Sequence, residues 1–541
     1  MIRQYITDLQ AEFKGYNGKR LGQDLLSGLT VTAVALPLAL AFGVSSGATA
    51  AAGLITAIIA GLVIGILSGA SYQISGPTGA MTAILVSLVA KYGMQGVFVA
   101  GVLSGVILLV CGIFKFGRLV SFIPAPVITG FTSGIAIIIA LGQIDNFFGV
   151  TSTGENALQK VGSYFTDGFQ PNGMAVLFGA LVMLIMIVWP KKWNAKFPSS
   201  LVGIIVAVIL NLVLKCDVAV VGEIPKTLFL DERLNPTDIP WRELQNFVMP
   251  ALSIAALGMI ESLLCGASAG RMKGEKLNAD RELVAQGIGN ILIPFFGGVP
   301  ATAAIARTSV AIKAGEQTRL TSVFHSVGLL LSMFLLAPVM SQIPLAALAG
   351  VLMMTAWRMN EWDGIRYIFS KKIKTAIAQF LITMAATVVF DLTVAIVIGV
   401  VFSILAFVVR ISDLQIDISD VDTNKLSSDD IHRDDEYEKV KLVYLTGPIF
   451  FATSEKLMET LHTIEHCKEL IFSMRGVPMI DASGAQGLLE FAQHYETQGR
   501  QIVFCSVQPK VKEMLDRTGV TDFVGEDHFY WDAQRAITHR A

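Results

Sequence analysis

From Leu25 to Val409 the chain is a succession of apolar runs separated by short loops, and this pattern restricts what it can fold into more than any other feature. A helix needs about 20 apolar residues to cross a bilayer, and in lipid every backbone polar group must be bonded internally. Segments of this kind begin near Leu25, Ala52, Ile74, Val97, Ala125, Gly173, Leu201, Val248, Leu283, Ala301, Ser322, Leu345, Thr375 and Leu392. These make fourteen spans, several of them short for a full crossing. Only 16% of residues are charged, against about a quarter in soluble domains, so much of the surface faces something other than water. The expected division is a polar, amphipathic, cytoplasmic segment at 1–24 and a transmembrane domain at 25–410. An acidic linker at 411–436 and a soluble cytoplasmic domain at 437–541 follow.

Lysine and arginine set the orientation. With the N-terminus cytoplasmic, alternate loops hold Lys115 and Arg118, then Lys191, Lys192 and Lys196, then Arg271, Lys273 and Lys276. The series continues with Lys313 and Arg319, then Arg366, Lys371, Lys372 and Lys374. The opposite loops, Asp145 to Asp167 and Ser341 to Pro344, are acidic or nearly uncharged. An even span number returns Arg410 to the cytoplasm, which predicts a multi-pass cell-membrane protein with both termini inside. In the first segment Ile2, Tyr5, Ile6, Leu9 and Phe13 fall at helical spacing, so it is read as a short helix on the membrane surface or against protein. The net charge of −2 argues against nucleic acid. Five dispersed cysteines form neither a disulfide framework nor a metal site, and no cofactor is expected.

Two stretches echo each other. Residues 76–81 read Gly-Pro-Thr-Gly-Ala-Met and residues 299–304 read Val-Pro-Ala-Thr-Ala-Ala, with Pro77 and Pro300 223 residues apart. That offset is about half of the membrane domain, and seven spans per half would invert the second copy relative to the first. Transporters built this way bind substrate near the midplane, between half-helices in corresponding positions. A half-helix beginning there leaves its first N–H groups unbonded and aims its positive dipole end inward. Two such ends suit an anion and repel a cation. Gly79, Ala80, Ala303 and Ala304 allow close approach to the backbone, and Thr78, Thr82 and Thr302 add hydroxyl donors.

Within the second repeat two ionisable residues lie well inside apolar runs, Glu261 and Arg307. Intramembrane charges are costly and face a cavity or a partner. Arg307 either adds positive charge to the anion site or snorkels to the cytoplasmic surface. Glu261 either carries a coupling proton or serves as fixed counter-ion to Arg307. Pro37 precedes Pro77 by 40 residues and Glu261 precedes Pro300 by 39, so the first span of each repeat can pass the same site. Phe42 then offers an apolar wall, or simple packing.

Beyond the linker, Val440 to Leu445, Leu470 to Met474 and Ile502 to Cys505 read as strands, with helices at Ser454 to Ile464, Ser483 to Tyr495, Pro509 to Arg517 and Asp532 to Ile537. Ser454 is the expected cap of the first helix. This alternation gives a small α/β layer fold. No His/Cys/Asp constellation and no Walker-type loop is present, so an enzyme is not indicated.

These residues resemble the SulP (sulfate permease) family of anion transporters over nearly the whole chain. The most specific part runs from Ile260-Glu-Ser-Leu-Leu-Cys through Glu282-Leu-Val-Ala-Gln-Gly-Ile-Gly-Asn290 to Gly298-Val-Pro-Ala-Thr-Ala-Ala-Ile-Ala-Arg307, with Gly76-Pro-Thr-Gly-Ala-Met similar to the third-span motif. The resemblance implies an α-helical polytopic fold of fourteen spans in two inverted seven-span repeats, a core domain moving against a gate domain, and a homodimer. It also implies an anion site between half-helices beginning at Thr78 and Ala301, formed by Thr78, Gly79, Ala80, Met81, Ala301, Thr302, Ala303, Ala304, Arg307 and Phe42. Sodium-coupled bicarbonate members carry Asp at the position of Glu261 and Thr at that of Cys265; a thiol is a poor ligand for a hard cation. The Glu-Ser-Leu-Leu-Cys version is more like the proton-coupled dicarboxylate branch, so proton rather than sodium is the expected coupling ion, at Glu261 and Cys265. Asp481-Ala-Ser-Gly484 resembles the loop of STAS domains. There Ser483 matches a serine phosphorylated in anti-sigma-factor antagonists, a regulatory position, or else it is a helix N-cap.

The function expected is secondary active transport of a small inorganic or carboxylate anion (sulfate, bicarbonate or a C4-dicarboxylate), by proton symport with an elevator movement of core against gate. The alternatives are a sodium-coupled bicarbonate symporter and an uncoupled exchanger or channel. A nucleobase permease on the same fold would carry an acid in Ala301–Val310, which is lacking here. A membrane anchor for a signalling domain would not need paired half-helices.

Overall fold

A computed structural model describes residues 2–538 apart from 119–122, 155–156, 167, 191–192, 194–196, 239–240, 391, 423–438 and 465–466. Lys191, Lys192 and Lys196 of the orientation argument and most of the expected linker lie outside the described residues. The chain divides into two compact units, Met1–Val401 and Phe402–Ala541.

Helices occur at every predicted span. After α1 (Ile2–Glu12) come α2 (Gly18–Ser45), α3 (Ala50–Leu67) and α4 (Gly79–Ile113), then α5 (Ala125–Gly142), α6 (Ile144–Phe148), α7 (Ala157–Thr166), α8 (Gly173–Val188) and α9 (Ser199–Leu214). The second half holds α10 (Gln245–Lys273), α11 (Ala279–Leu292), α12 (Ile305–Lys313), α13 (Leu320–Met340), α14 (Leu345–Met359), α15 (Trp362–Ser370), α16 (Lys374–Val389) and α17 (Leu392–Ile411). The third and fourth spans are the two arms of α4, broken at Gly93, whose φ of 66° is left-handed. Among the described residues six helices, counting α5 with α6 as one, are long and apolar enough to cross a membrane; α8, α9, α14, α16 and much of α17 are shorter apolar helices.

Helices α2, α3, α4, α10, α11, α12 and α13 pack mainly on one another, as do α5, α8, α9, α14 and α16. These two bundles meet where α2 touches α14 and α9, and where α4 touches α5. Within the first bundle close approach is bought with small residues. A methyl at Gly53 of α3 would lie 2.0 Å from the carbonyl oxygen of Ala39 in α2. No rotamer relieves a clash with backbone.

Two short strands, β1 (Ser75–Gly76) and β2 (Thr302–Ala303), pair antiparallel with Ser75 opposite Ala303 and Gly76 opposite Thr302. They immediately precede α4 and α12, so the two half-helices start beside each other. Antiparallel pairing of corresponding segments is what an inverted repeat requires. The second half-helix starts at Ile305, with Ala304 as its cap, and not at Ala301 as the sequence suggested. At mid-membrane the backbone of Thr302 and Ala303 has no water to bond, and pairing with β1 satisfies it before the helix can begin.

Arg20, Arg118, Lys276, Arg281 and Arg319 line a single cavity of about 870 Å³, which places the N-terminal segment and three of the basic loops on one face. A second cavity of about 620 Å³ is lined by Glu223, Lys226, Ser341 and Gln342, from loops assigned to the other face. Helix α1 is fixed to protein and not free on a membrane surface. Asp8 pairs with Arg281, Glu12 with Arg319 at 2.7 Å, and the Tyr5 ring lies 5.4 Å from each guanidinium. Its acids neutralise two buried arginines whose remaining N–H groups go to the backbone oxygens of Ile66, Ser68 and Gly69.

In the second unit β3 (Gln415–Asp420), β4 (Val440–Thr446), β5 (Glu469–Gly476), β6 (Gln501–Cys505) and β7 (Phe529–Tyr530) form one sheet in sequence order; β3 is antiparallel to β4 and the other pairs are parallel. Strand β3 lies in the stretch expected to be linker. Ile416 and Ile418 alternate with Asp417 and Ser419, a period-two pattern that acidity concealed. Helices α18 (Phe451–His462), α19 (Ala482–Thr497), α20 (Pro509–Arg517), α21 (Val520–Val524) and α22 (Ala533–Thr538) complete the unit, whose core includes Leu457, Phe472, Phe491 and Phe504. Ser454 lies inside α18 and caps nothing; Thr453 Oγ1 accepts the Phe450 N–H at 2.9 Å instead.

Two outcomes follow from this packing. Gly53→Val should cost at least about 2 kcal/mol, read as a lower heat-denaturation midpoint in detergent. At the end of α12, the buried Glu316 receives the Lys273 ammonium at 2.7 Å, yet burial pushes its carboxyl up to about 7. A carboxyl raised on folding favours the protonated native state, so stability should fall as pH rises from about 4.5 to about 7. The loss should be on the order of 3 kcal/mol, and the midpoint of Glu316→Gln should lack that share of the pH dependence.

Candidate functional site

Backbone bonding defines the site. In α4 the first helical bond runs from the Thr82 N–H to the Thr78 oxygen, and in α12 from the Thr308 N–H to the Ala304 oxygen, at 3.2 and 3.0 Å. The amides of Gly79, Ala80 and Met81, and of Ile305, Ala306 and Arg307, therefore have no carbonyl inside their helices. They are six donors at two positive helix ends, set on either side of the β1–β2 pair.

The residues expected to bind divide into two groups. Thr78 caps α4, and Gly79, Ala80 and Met81 form its first turn. Phe42 of α2 stands against this turn: a methyl at Gly79 would lie 3.1 Å from the Phe42 ring and 2.3 Å from Ile139 Cδ1. A larger residue there would require the Ile139 side chain to move. Ile139, on α5 of the other bundle, had no sequence signal, being one apolar residue among many in its span.

Ala301, Thr302, Ala303 and Ala304 are brought to the same place but their polar groups are largely spent. The Ala301 N–H goes to Asn290 Oδ1 at 2.7 Å, that of Ala303 to Ser262 Oγ at 3.3 Å and that of Ala304 to the Ile74 oxygen at 3.0 Å. The Thr302 hydroxyl shares a 2.7 Å bond with Ser262. They build the platform from which α12 starts, while its free donors come from Ile305 to Arg307, four residues later than expected. Ile305 is 45% exposed, so that end is open.

Arg307 is buried in the first turn of α12 and does not snorkel. Its Nη2 donates to the Pro77 oxygen at 2.8 Å, and its Nη1 has no hydrogen-bond partner among the described residues. Glu261 Oε2 accepts the Thr78 hydroxyl at 2.8 Å. No ion pair joins Glu261 to Arg307, so the two meet through residues 77 and 78 rather than as direct counter-ions. Glu261 of α10 and Arg307 of α12 thus both hold the start of α4. Cys265 is buried one turn after Glu261 and contacts the Thr308 hydroxyl at 3.4 Å, a packing contact inside the bundle. Ser262, beside Glu261, was missed by the sequence reading; its signal was a hydroxyl one residue from an intramembrane acid. Neither of the two cavities described above is lined by these residues.

Ser483 is the second residue of α19, in the other unit, and is exposed. It is not the N-cap. Asp481 has that place, accepting the Gly484 N–H at 2.8 Å and the Phe451 N–H at 3.1 Å. A carboxylate two residues earlier reaches the free amides better than the hydroxyl of a residue already in the helix.

Two interlocked half-helices in a two-bundle helical fold, with a separate α/β domain, define a multi-pass membrane transporter. The chain belongs to the sulfate permease family: the family profile matches residues 21–386, and that of the STAS domain matches residues 433–536. Its function is anion transport and not enzymatic catalysis. It is 34% identical to the putative sulfate transporter YvdB of Bacillus subtilis, covering 96% of this chain and 97% of that one. It is 30% identical to the bicarbonate transporter BicA of Synechocystis, covering 96% and 94%. The structure of the murine anion transporter Slc26a9 in the inward-facing state shares the fold, with TM-score 0.82, 19% identity, and coverage of 95% and 90%. The transmembrane domain of a cyanobacterial BicA aligns with TM-score 0.64 and 28% identity, over 72% of this chain and 98% of that one.

Arg307→Gln should raise the half-saturating anion concentration about tenfold or more, roughly 1.4 kcal/mol of binding. Arg307→Lys should recover little of this, because an ammonium lacks the planar fork that serves Pro77 and an anion together. Concentration-dependent uptake by the purified variants checks both.

Proposed function

We propose that this protein is a proton-coupled symporter that binds one small anion between the N-termini of α4 and α12. The observation that carries the reading is the pair of unsatisfied helix ends, with the unpartnered Nη1 of Arg307 beside them. Backbone amides and a guanidinium suit sulfate, bicarbonate or a C4-dicarboxylate, and the relatives' names point to the first two.

Glu261 supplies the coupling. Its carboxylate accepts from the Thr78 hydroxyl at the cap of α4, so its charge sits at the edge of the anion's seat. An ionised Glu261 repels an arriving anion, and a protonated one does not. Proton and anion then bind in mutual support, each raising the affinity for the other by the same factor. Glutamate in place of a shorter acid, with a thiol at Cys265 turned to Thr308, supports a proton over sodium. The bundle of α2, α3, α4 and α10 to α13 carries the site and moves as the core. The bundle of α5, α8, α9, α14 and α16 is the gate, and Ile139 is its contact with the closed end of α4. The protein works in the cell membrane with both termini cytoplasmic, as a homodimer.

The test is uptake of labelled sulfate, bicarbonate and succinate into proteoliposomes, sodium-free, with and without an inward proton gradient. Wild type should accumulate one of them only with the gradient, and Glu261→Gln should lose that gradient dependence. Equal gradient-driven accumulation by the mutant would remove Glu261 from coupling. Accumulation that requires sodium would replace proton symport with sodium symport.

A further inference from the structure

Helix α11 carries a polar stripe that the transport role above does not use. Glu282, Gln286 and Asn290 stand at i, i+4 and i+8 on one face, and all three are at most 1% exposed. Buried polar groups are mostly hydrogen-bonded, and here every side-chain polar atom of the three is used except Gln286 Oε1, which has no partner among the described residues. Asn290 Oδ1 accepts the Ala301 N–H at 2.7 Å, and its Nδ2 donates to the Ala301 oxygen and to the Gln286 oxygen, both at 2.9 Å. Gln286 Nε2 donates to Ser75 Oγ and to Glu282 Oε1, again at 2.9 Å. Glu282 Oε2 accepts from the Ser68 hydroxyl at 2.6 Å and from the Gly69 N–H at 2.9 Å.

One face of one helix therefore grips both chain segments that cross at mid-membrane. Ser75 belongs to β1, and Ala301 immediately precedes β2. The β1–β2 pairing stops at Gly76 opposite Thr302, so Ala301 has no strand partner. The planar carboxamide of Asn290, an acceptor and a donor side by side, takes the place of a third rung. From Ala301 the chain runs through two paired residues to the cap at Ala304 and the free amides of Ile305 to Arg307. A shift at Ala301 would rotate those donors and move the guanidinium that holds Pro77.

We propose that Asn290 is a positioning residue for the anion site, acting through the Ala301 peptide, with the Gln286–Ser75 bond as its counterpart on the α4 side. The inference rests on the reading that the anion sits between α4 and α12. Groups that orient a binding shell without touching ligand commonly change affinity severalfold to a hundredfold.

The test uses full-length protein in two variants. Asn290→Leu removes every bond to Ala301; Asn290→Ser, milder and safer for folding, keeps a short hydroxyl. Hydrogen–deuterium exchange of the substrate-free protein should show residues 301–307 exchanging about tenfold faster or more in Asn290→Leu and less so in Asn290→Ser, with α13 and α16 unchanged. Uptake of whichever of sulfate, bicarbonate or succinate the wild type accumulates should show KM raised about tenfold with a smaller change in maximal rate. Unchanged or uniformly faster exchange in both variants would overturn the assignment, as would local loosening with KM unaltered. Should the wild type accumulate none of the three anions, the proposed function fails, and the exchange result still decides whether Asn290 holds this backbone.

Discussion

A polypeptide cannot change direction in the middle of a bilayer without leaving peptide groups unbonded, and the architecture of this transporter is organised around that difficulty. Two helices begin at mid-membrane, and the stretches leading into them satisfy each other as the antiparallel pair β1–β2. The groups that pairing cannot reach are taken up by side chains from neighbouring helices. Ser262 bonds the Ala303 N–H, Thr308 the Ile74 N–H, Asn290 the Ala301 peptide, and Thr56 the Val299 N–H. What remains unbonded is the first turn of each half-helix. Among the described residues these amides are a set of donors that an anion could satisfy.

The charged groups follow the same logic. A buried arginine is tolerable when its hydrogens are used. Nη2 of Arg307 is used by Pro77, which ties the second repeat to the first, and Nη1 lies against Gly76 without a hydrogen-bond partner among the described residues. Glu261 is tied across the repeats in the same way, through Thr78. Both charges therefore meet at the start of α4, through residues 77 and 78 rather than through an ion pair. A direct Glu–Arg pair would have neutralised the positive field that a site for anions needs.

Packing then determines what can move. The first bundle is held by close backbone contacts, as between Gly53 and Ala39, and by buried hydroxyls and amides that join non-adjacent segments. Shifting any of its helices would break several bonds at once. Against the other bundle the site presents apolar contacts such as Ile139 on Gly79, which carry no directional bonds and can slide. Helix α1 belongs to the first bundle as well, since its acids and Tyr5 are fastened to Arg281 and Arg319.

Much of this was legible in the amino-acid order. Apolar length fixed the spans, lysine and arginine separated the two faces, and the repeat of proline with small residues at Pro77 and Pro300 marked the half-helices. Glu261 and Arg307 stood out because charge inside an apolar run is too costly to be incidental. The sequence misplaced what depends on partners distant in the chain. Ala301 to Ala303 read as a helix start and form a strand platform, because β1, 226 residues before Thr302, pairs with Thr302 and Ala303, while Asn290 and Ser262 take the N–H groups of Ala301 and Ala303. Ser483 and Ser454 read as caps, but Asp481 caps α19 and Phe450 stands at the cap of α18 with Thr453 accepting its N–H, because local geometry decides which oxygen reaches an amide. Ile416 and Ile418 were hidden among acids until β4 gave them a sheet to join. By itself the sequence determined which segments enter the membrane and where charge must be accommodated, since burial energy depends on composition and period. The tertiary structure alone decided which backbone donors stay free for an anion, since that depends on which of their neighbours the fold has already paired.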